Sequence, residues 1–252
     1  LKLNKNYGHQ MAIYVGLLYC NKNNKENLII MDGDGEDKPS DIKKILDEAY
    51  TYPNTTIVAR RSKRKDSFLF KVMYFFYKIL FLILNGKKID FGNFSFINKA
   101  HLKILLTHGT LKQHLASTIL KSNISIKKIS LDKGKRYFGK PKMNLENLIF
   151  LGLNAITVFS SQVIIRVIIF SIIFFIFLSI VFILIFYLRF FSDFLIPGQA
   201  TYALGFLITI NLIILVNSLL LSFMHSPLNS NNDLKDYDYK NFLLFEENFK
   251  NK

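Results

Sequence analysis

Two stretches of this chain are too long and too apolar to be ordinary elements of a soluble domain. Residues 163–188 are 26 in number with one charged side chain, Arg166, and residues 199–224 are 26 more with none. An apolar run of 18 or more residues reads as a membrane-spanning helix, because about 20 helical residues cross the roughly 30 Å hydrocarbon core. At 1.5 Å per residue either run reaches about 39 Å, enough to cross with some tilt. Neither run lies at the start of the chain, where a cleaved secretory signal would sit. Two buried helices of a large soluble core would be shorter.

The spans divide the chain unequally. The net charge is +15. The segment between the spans carries Arg189 and Asp193, and the segment after Met224 carries four lysines and five acids. The positive excess therefore precedes the first span. Basic flanks stay in the cytoplasm, so residues 1 to about 160 and the tail are expected inside, joined by a short external loop. The expected location is thus the cell membrane, multi-pass, with both termini cytoplasmic. A basic cytoplasmic face suits anionic lipid headgroups, although a bias toward Lys, Asn, Ile and Phe explains part of the charge. No nucleic-acid-binding signature accompanies the charge, which argues against such a partner. A lone cysteine, Cys20, excludes an intrachain disulfide or a cysteine-built metal site.

Before the spans, the apolar run Ile29, Ile30, Met31 leads directly into Asp32-Gly33-Asp34-Gly35-Glu36-Asp37-Lys38-Pro39. A buried strand ending in Asp-x-Asp holds oxygen ligands at a fixed edge, where a hard divalent cation is caught and shared with substrate phosphates. An EF-hand would need Glu at the twelfth position of the loop. Counted from Asp32, that residue is Lys43. A solvated acidic turn is the plain alternative.

The surrounding pattern is that of an α/β domain. A helix is predicted over 6–20, a strand over 28–31, a helix over 41–50 capped by Ser40, and a strand over 56–59. This alternation implies a parallel sheet, with ligands bound beyond the carboxyl ends of the strands. A basic run follows at 60–65. Residues 67–84 read as an amphipathic helix lying in the membrane interface or as an ordinary packed helix. A strand is expected near 90–97, a long helix over 99–120, a strand over 124–129, a second basic run over 133–142 and a helix over 145–161 leading into the membrane. His101, His108 and His114 lack carboxylate or cysteine partners at ligand spacing, so they read as packing or surface residues. The tail from 225 to 252, rich in Asn, Asp and Lys, is expected to be poorly ordered.

In this order the motifs resemble the family 2 glycosyltransferases, and within them the polyprenyl-phosphate sugar transferases of the dolichol-phosphate mannose synthase and bactoprenol glucosyltransferase kind. Asn6-x-Gly8-x-x-x-Ala12-x-x-x-Gly16 resembles the helix before the metal strand. Residues 31–39 resemble the metal motif, usually Asp-x-Asp-x-Gln-x-x-Pro. Arg61-x-x-Arg64, Gly92-Asn93-Phe94-Ser95 and Lys133-x-x-Arg136-x-x-Gly139-x-x-Lys142 resemble later elements, and two spans follow.

The resemblance implies a partial GT-A (Rossmann-like) domain over 1–145, a juxtamembrane helix over 146–162, and the two spans. It implies a hexosyltransferase-type, inverting, metal-dependent transfer from a nucleotide sugar to a polyprenyl phosphate, for cell-envelope glycan synthesis. Asp32, Asp34 and Glu36 would hold Mg²⁺ or Mn²⁺ on the diphosphate. Asn6 and Gly8 would lie toward the donor. Arg61, Arg64, Lys133 and Arg136 would grip the acceptor phosphate, where a planar guanidinium pairs bidentately with phosphate oxygens.

Three departures stand out. Glu36 replaces the usual Gln. Asn93 stands where many relatives carry an Asp discussed as a base; Asn cannot take a proton, but a phosphate monoester with its second pKa near 6 needs little help. The nucleotide-contacting strand expected before Asn6 is absent, so the chain reads as N-terminally truncated and inactive by itself. A glycolipid hydroxyl acceptor and a non-catalytic scaffold derived from such an enzyme stay open, as does homo-oligomerisation.

Overall fold

The structure is a computed structural model of the 252-residue chain. It describes residues 1–61, 68–132, 134, 136–137, 145–191, 198–225 and 238–245. The chain divides into two compact units. One comprises residues 1–159 together with 231–252, and the other residues 160–230.

The first unit is built on a four-stranded sheet in the order β2 (Asn27–Ile30), β4 (Ser95–Asn98), β3 (Thr56–Arg61), β5 (Ile126–Leu131). β3 and β5 run parallel, pairing Thr56 with Ile126 through Arg61 with Leu131. The all-parallel sheet expected from the helix–strand alternation is corrected here. β4 runs antiparallel to both neighbours, with Asn27 opposite Asn98 and Ile57 opposite Phe96. Strand direction is set by long-range pairing, which local periodicity does not carry. With β4 reversed, β2, β3 and β5 still point the same way. Their carboxyl ends, at Ile30, Arg61 and Leu131, lie along one edge.

Helix α2 (Ile42–Thr51) covers the sheet. Ile45 and Ala49 on it meet Ile57, Ala59, Phe94, Phe96 and Leu131 in one buried cluster. Ser40 is not its cap. It lies inside a 3₁₀ turn, Pro39–Asp41, that continues directly into α2. Helix α1 (His9–Lys22) packs against α4 (Lys99–Leu106) and the following turn, and Tyr14, Val15, Leu17, Leu102, Leu105 and Leu111 are buried. Burying one such side chain contributes about 1.5–3 kcal/mol.

The single helix expected over 99–120 is broken. α4 stops at Leu106, a 3₁₀ turn occupies Gly109–Lys112, and α5 begins afresh at Leu115–Lys121. His114 is what restarts it. Its Nδ1 accepts the Ser117 backbone N–H at 3.1 Å, so it is the N-cap of α5 and its ring must be neutral at Nδ1. Burial, helped by the nearby His9, pushes its pKa down to about 4.

Helices α3 (Phe68–Asn85) and α6 (Leu145–Thr157) pack together. A side chain at Gly152 would press on the Tyr77 ring, so the glycine permits the approach. Phe81 is buried edge-on to Phe159 at 5.9 Å. Lys121 donates to the Val158 carbonyl at 2.7 Å, just beyond α6. The outward faces carry Phe75, Phe76, Ile83, Ile149 and Phe150, all exposed.

Residues 238–245 of the tail, expected without fixed structure, are ordered in this unit. Tyr239–Phe242 form a 3₁₀ turn, and β6 (Leu243–Phe245) pairs antiparallel with β1 (Lys2–Leu3). Tyr239 is buried edge-on to Tyr19, and Lys22 bonds Asp238 at 3.4 Å.

The second unit is a pair of helices, α7 (Ser160–Phe191) and α8 (Gln199–His225), which pack on each other. The Ser171 and Ser218 hydroxyls meet at 3.0 Å between them. Ser160–Leu188 and Thr201–Leu220 are long and apolar enough to cross a membrane, and only 11% of each apolar window is buried in the molecule. Core helices of a soluble protein would be mostly buried. The helix expected to run unbroken from 145 to 161 instead ends at Thr157, before α7 starts.

The His114 cap makes a sign-definite prediction. The unfolded chain takes up a proton at this ring below about pH 6.5, whereas the folded chain resists protonation until about pH 4. Stability is therefore intact above that window and falls as pH drops through it, by on the order of 3 kcal/mol from this group at most. Denaturation of the detergent-solubilised chain from pH 7.5 to 4 measures the loss. His114→Asn, which keeps a cap acceptor without a titrating ring, should flatten it.

Candidate active site

The carboxyl end of β2 opens into the acidic turn, and the chain after β5 closes over it. The turn is tied internally. Asp34 Oδ1 accepts the Glu36 backbone N–H at 2.9 Å, and the buried Asp37 accepts the Asp32 N–H through Oδ2 at 3.0 Å. Gly35 stands at φ +89°, where an L side chain is strained. Asp37 therefore holds the turn in shape from beneath, a role the sequence reading did not assign.

Gly134, Arg136 and Tyr137 fit on top. The Gly134 N–H donates to the Glu36 carbonyl at 2.8 Å and the Tyr137 N–H to the Asp34 carbonyl at 3.0 Å. Both contacts demand glycine. A Cβ at Gly134 would collide with the Gly35 carbonyl, and one at Gly35 would lie 2.7 Å from the Tyr137 ring. The Arg136 guanidinium then bridges two carboxylates, its Nη2 lying 2.9 Å from Asp34 Oδ2 and 3.2 Å from Glu36 Oε1. The three side chains are 26%, 33% and 14% exposed, so the pairs are only partly screened by solvent.

Beside the turn lies a small cavity of about 20 Å³, room for roughly one water. Glu36, Asp37, Lys38 and Asp41 line it from the turn, Gly92 and Asn93 from the loop before β4, and Asp132 from the end of β5. Asn93 is held by two contacts. Its carbonyl accepts from Ser95 Oγ at 2.8 Å, and its Oδ1 accepts from Gln10 Nε2 at 3.2 Å.

The structure thus brings together Asp34, Glu36 and Arg136 directly, with Asp32 in the same turn and Asn93 beside it. Arg136, expected at the acceptor phosphate, is engaged by the acids. Asn6 and Gly8 lie exposed before α1, where Asn6 Oδ1 accepts the Gly8 N–H at 2.9 Å. The α1 residue that reaches the site is Gln10. Arg61 ends β3, while Arg64 and Lys133 lie outside the described residues. Asp37, Asp132 and Gln10 were not singled out in the sequence. Asp37 was legible as part of the acidic run, but an isolated glutamine at a helix start carries no signal.

Carboxylate oxygens are the ligand type that a hard cation takes. Two carboxylate oxygens converge on one positively charged nitrogen, which is the environment a divalent ion would meet. Among the described residues, no three His, Cys, Asp or Glu side chains form a ready-made metal cluster.

Fold and site together define an α/β protein with an acidic site at its strand ends and two helices able to cross a membrane. No protein-family model matches the chain. Two curated proteins of Bacillus subtilis (strain 168) are similar to it. The chain is 26% identical over 161 residues to the uncharacterized glycosyltransferase YkoT, covering 64% of this chain and 48% of that protein. It is 25% identical over 168 residues to the uncharacterized glycosyltransferase YkcC, covering 64% and 50%. The chain is therefore a distant relative of proteins named glycosyltransferases, and spans about half the length of the curated relatives it matches.

Loop closure on the turn can be tested without knowing the reaction. Gly134→Ala should lower stability by about 1–3 kcal/mol through overpacking and speed hydrogen exchange at the Tyr137 amide. Gly33→Ala, where a Cβ meets nothing within 4 Å, should change neither appreciably.

Proposed function

We propose that this chain belongs to a membrane-anchored glycosyltransferase. It moves a sugar from a nucleotide-sugar donor to a polyprenyl phosphate. The observation that carries this reading is the paired convergence of Asp34 and Glu36 at the carboxyl ends of a sheet, in a chain related to named glycosyltransferases. Asp32, Asp34 and Glu36 would hold Mg²⁺ or Mn²⁺, with Arg136 setting the spacing of the last two. When bound, such an ion neutralises charge growing on the departing nucleoside diphosphate. Arg61, Arg64 and Lys133 would bind the acceptor phosphate, while the Arg136 guanidinium stays with the two acids.

A lipid-phosphate acceptor fits this site better than a glycolipid hydroxyl. Asn93 cannot serve as a base. A phosphate monoester, mostly dianionic at pH 7, needs little help from one, whereas a sugar hydroxyl requires proton removal.

The GT-A form of the domain, its inverting outcome and its membrane setting belong to the same proposal. α7 and α8 would cross the bilayer, and the apolar outward faces of α3 and α6 would rest in its interface. The pairing of β1 with β6 supports a common side for both flanks of the helical pair, because residues before α7 and after α8 meet in one small sheet. The basic charge ahead of α7 favours the cytoplasmic side.

The test is transfer of radiolabelled sugar from UDP- and GDP-hexoses to undecaprenyl phosphate by the membrane-embedded protein. Asp34→Ala should lower metal-dependent transfer by roughly 10²–10³-fold, the scale of losing one electrostatic stabiliser of the transition state. Glu36→Gln should retain transfer but need more metal. Unchanged transfer in Asp34→Ala would remove the metal role.

A further inference from the structure

Gln10 decides which hydrogen-bonding face Asn93 shows to the site. The chain of bonds starts at the Leu115 backbone N–H, in the first residue of α5, which is buried and can only donate. Its acceptor is Gln10 Oε1 at 2.8 Å. With its oxygen committed there, Gln10 turns its NH₂ toward Asn93, and Nε2 donates to Asn93 Oδ1 at 3.2 Å. The polarity is fixed by a backbone donor, so it does not depend on distinguishing oxygen from nitrogen in either amide. Gln10 is only 9% exposed, and breaking either bond would leave a buried polar group unpaired. The Ser95 hydroxyl holds the Asn93 carbonyl, which fixes the backbone from which the side chain projects.

Asn93 lines the cavity beside Glu36, Lys38 and Asp132. With Oδ1 turned to Gln10, the group on the other side of the amide is Nδ2, a donor. We propose that Asn93 acts as a hydrogen-bond donor to an anionic phosphate oxygen of the substrate, and that Gln10 is the positioning residue that imposes this polarity. The inference rests on reading the site as one for a nucleotide sugar and a lipid phosphate. The phosphate oxygen belongs either to the donor's diphosphate or to the acceptor's monophosphate. A carboxylate at 93 would accept from Gln10 equally well, but would face that oxygen with a second negative charge.

The experiment measures anion binding by calorimetry in the detergent-solubilised full chain with Mg²⁺. Inorganic pyrophosphate probes the donor side and geranyl phosphate the acceptor side. Wild type should bind at least one. Asn93→Asp should weaken that anion by roughly tenfold or more, the scale of a lost hydrogen bond to a charged group. Gln10→Glu should weaken the same anion by a similar factor. One of its oxygens still accepts from Leu115, while the other draws the Asn93 amide around and leaves Oδ1 facing the cavity. In an Asn93→Ala background Gln10→Glu should cost almost nothing further, a non-additivity that a merely structural glutamine would not give. Affinity in Asn93→Asp should also fall as pH rises through the titration of the new carboxyl.

The inference is overturned if wild type binds neither anion. It is equally overturned if both single variants bind as wild type does, or if Gln10→Glu retains its full effect without Asn93. If the binding pattern holds but no nucleotide sugar supports transfer, the donor role stands and the glycosyltransferase reading falls. If transfer occurs while binding ignores both residues, the reverse is true.

Discussion

One guanidinium between two carboxylates organises the candidate site. Arg136 reaches Asp34 and Glu36 only because the chain beyond β5 folds back on the acidic turn, and two backbone hydrogen bonds hold it there. Those bonds need Gly134 and Gly35 at their point of closest approach. The turn in turn needs Asp37 beneath it, accepting the Asp32 N–H from a buried position. Several acids crowded at one sheet edge would repel one another without a positive partner, and partial burial strengthens both repulsion and attraction. The arrangement is a carboxylate pair held around one guanidinium.

What the sequence disclosed and what it withheld follow a physical division. The two apolar helices were legible because composition alone specifies them. The acidic turn was legible because glycines and a proline punctuate a short carboxylate run after a strand. The direction of β4 was not, since a short strand buried along its whole length, as Ser95–Asn98 is, reads the same beside a parallel or an antiparallel neighbour. The break between α4 and α5 had a partial signal in Thr107, His108 and Gly109, but the cap at His114 depends on burial of its ring. Gln10 could not be found at all from local pattern, because its partners Asn93 and Leu115 lie 83 and 105 residues away. The return of the tail to β1 is a long-range pairing of the same kind, formed by only a few residues at each end.

Membrane and catalytic readings support each other through chain connectivity. α6 ends two residues before α7 begins, and α6 is itself fastened to α3 and to Lys121. A helix pair with exposed Phe and Ile on its outer faces therefore leads directly into a helix suited to the hydrocarbon core. Distant likeness to two proteins named glycosyltransferases covers about half of their length.

The central claim is that Asp34 and Glu36 bind a divalent cation together with a nucleoside diphosphate. Paramagnetic resonance of Mn²⁺ titrated into the membrane-embedded protein in the presence of UDP or GDP tests it most directly. The account predicts that wild type quenches the free-ion signal near one ion per chain, and that Asp34→Asn combined with Glu36→Gln abolishes the quenching while the chain stays folded. Equal quenching by that double variant, or none by wild type with either nucleotide, would contradict it.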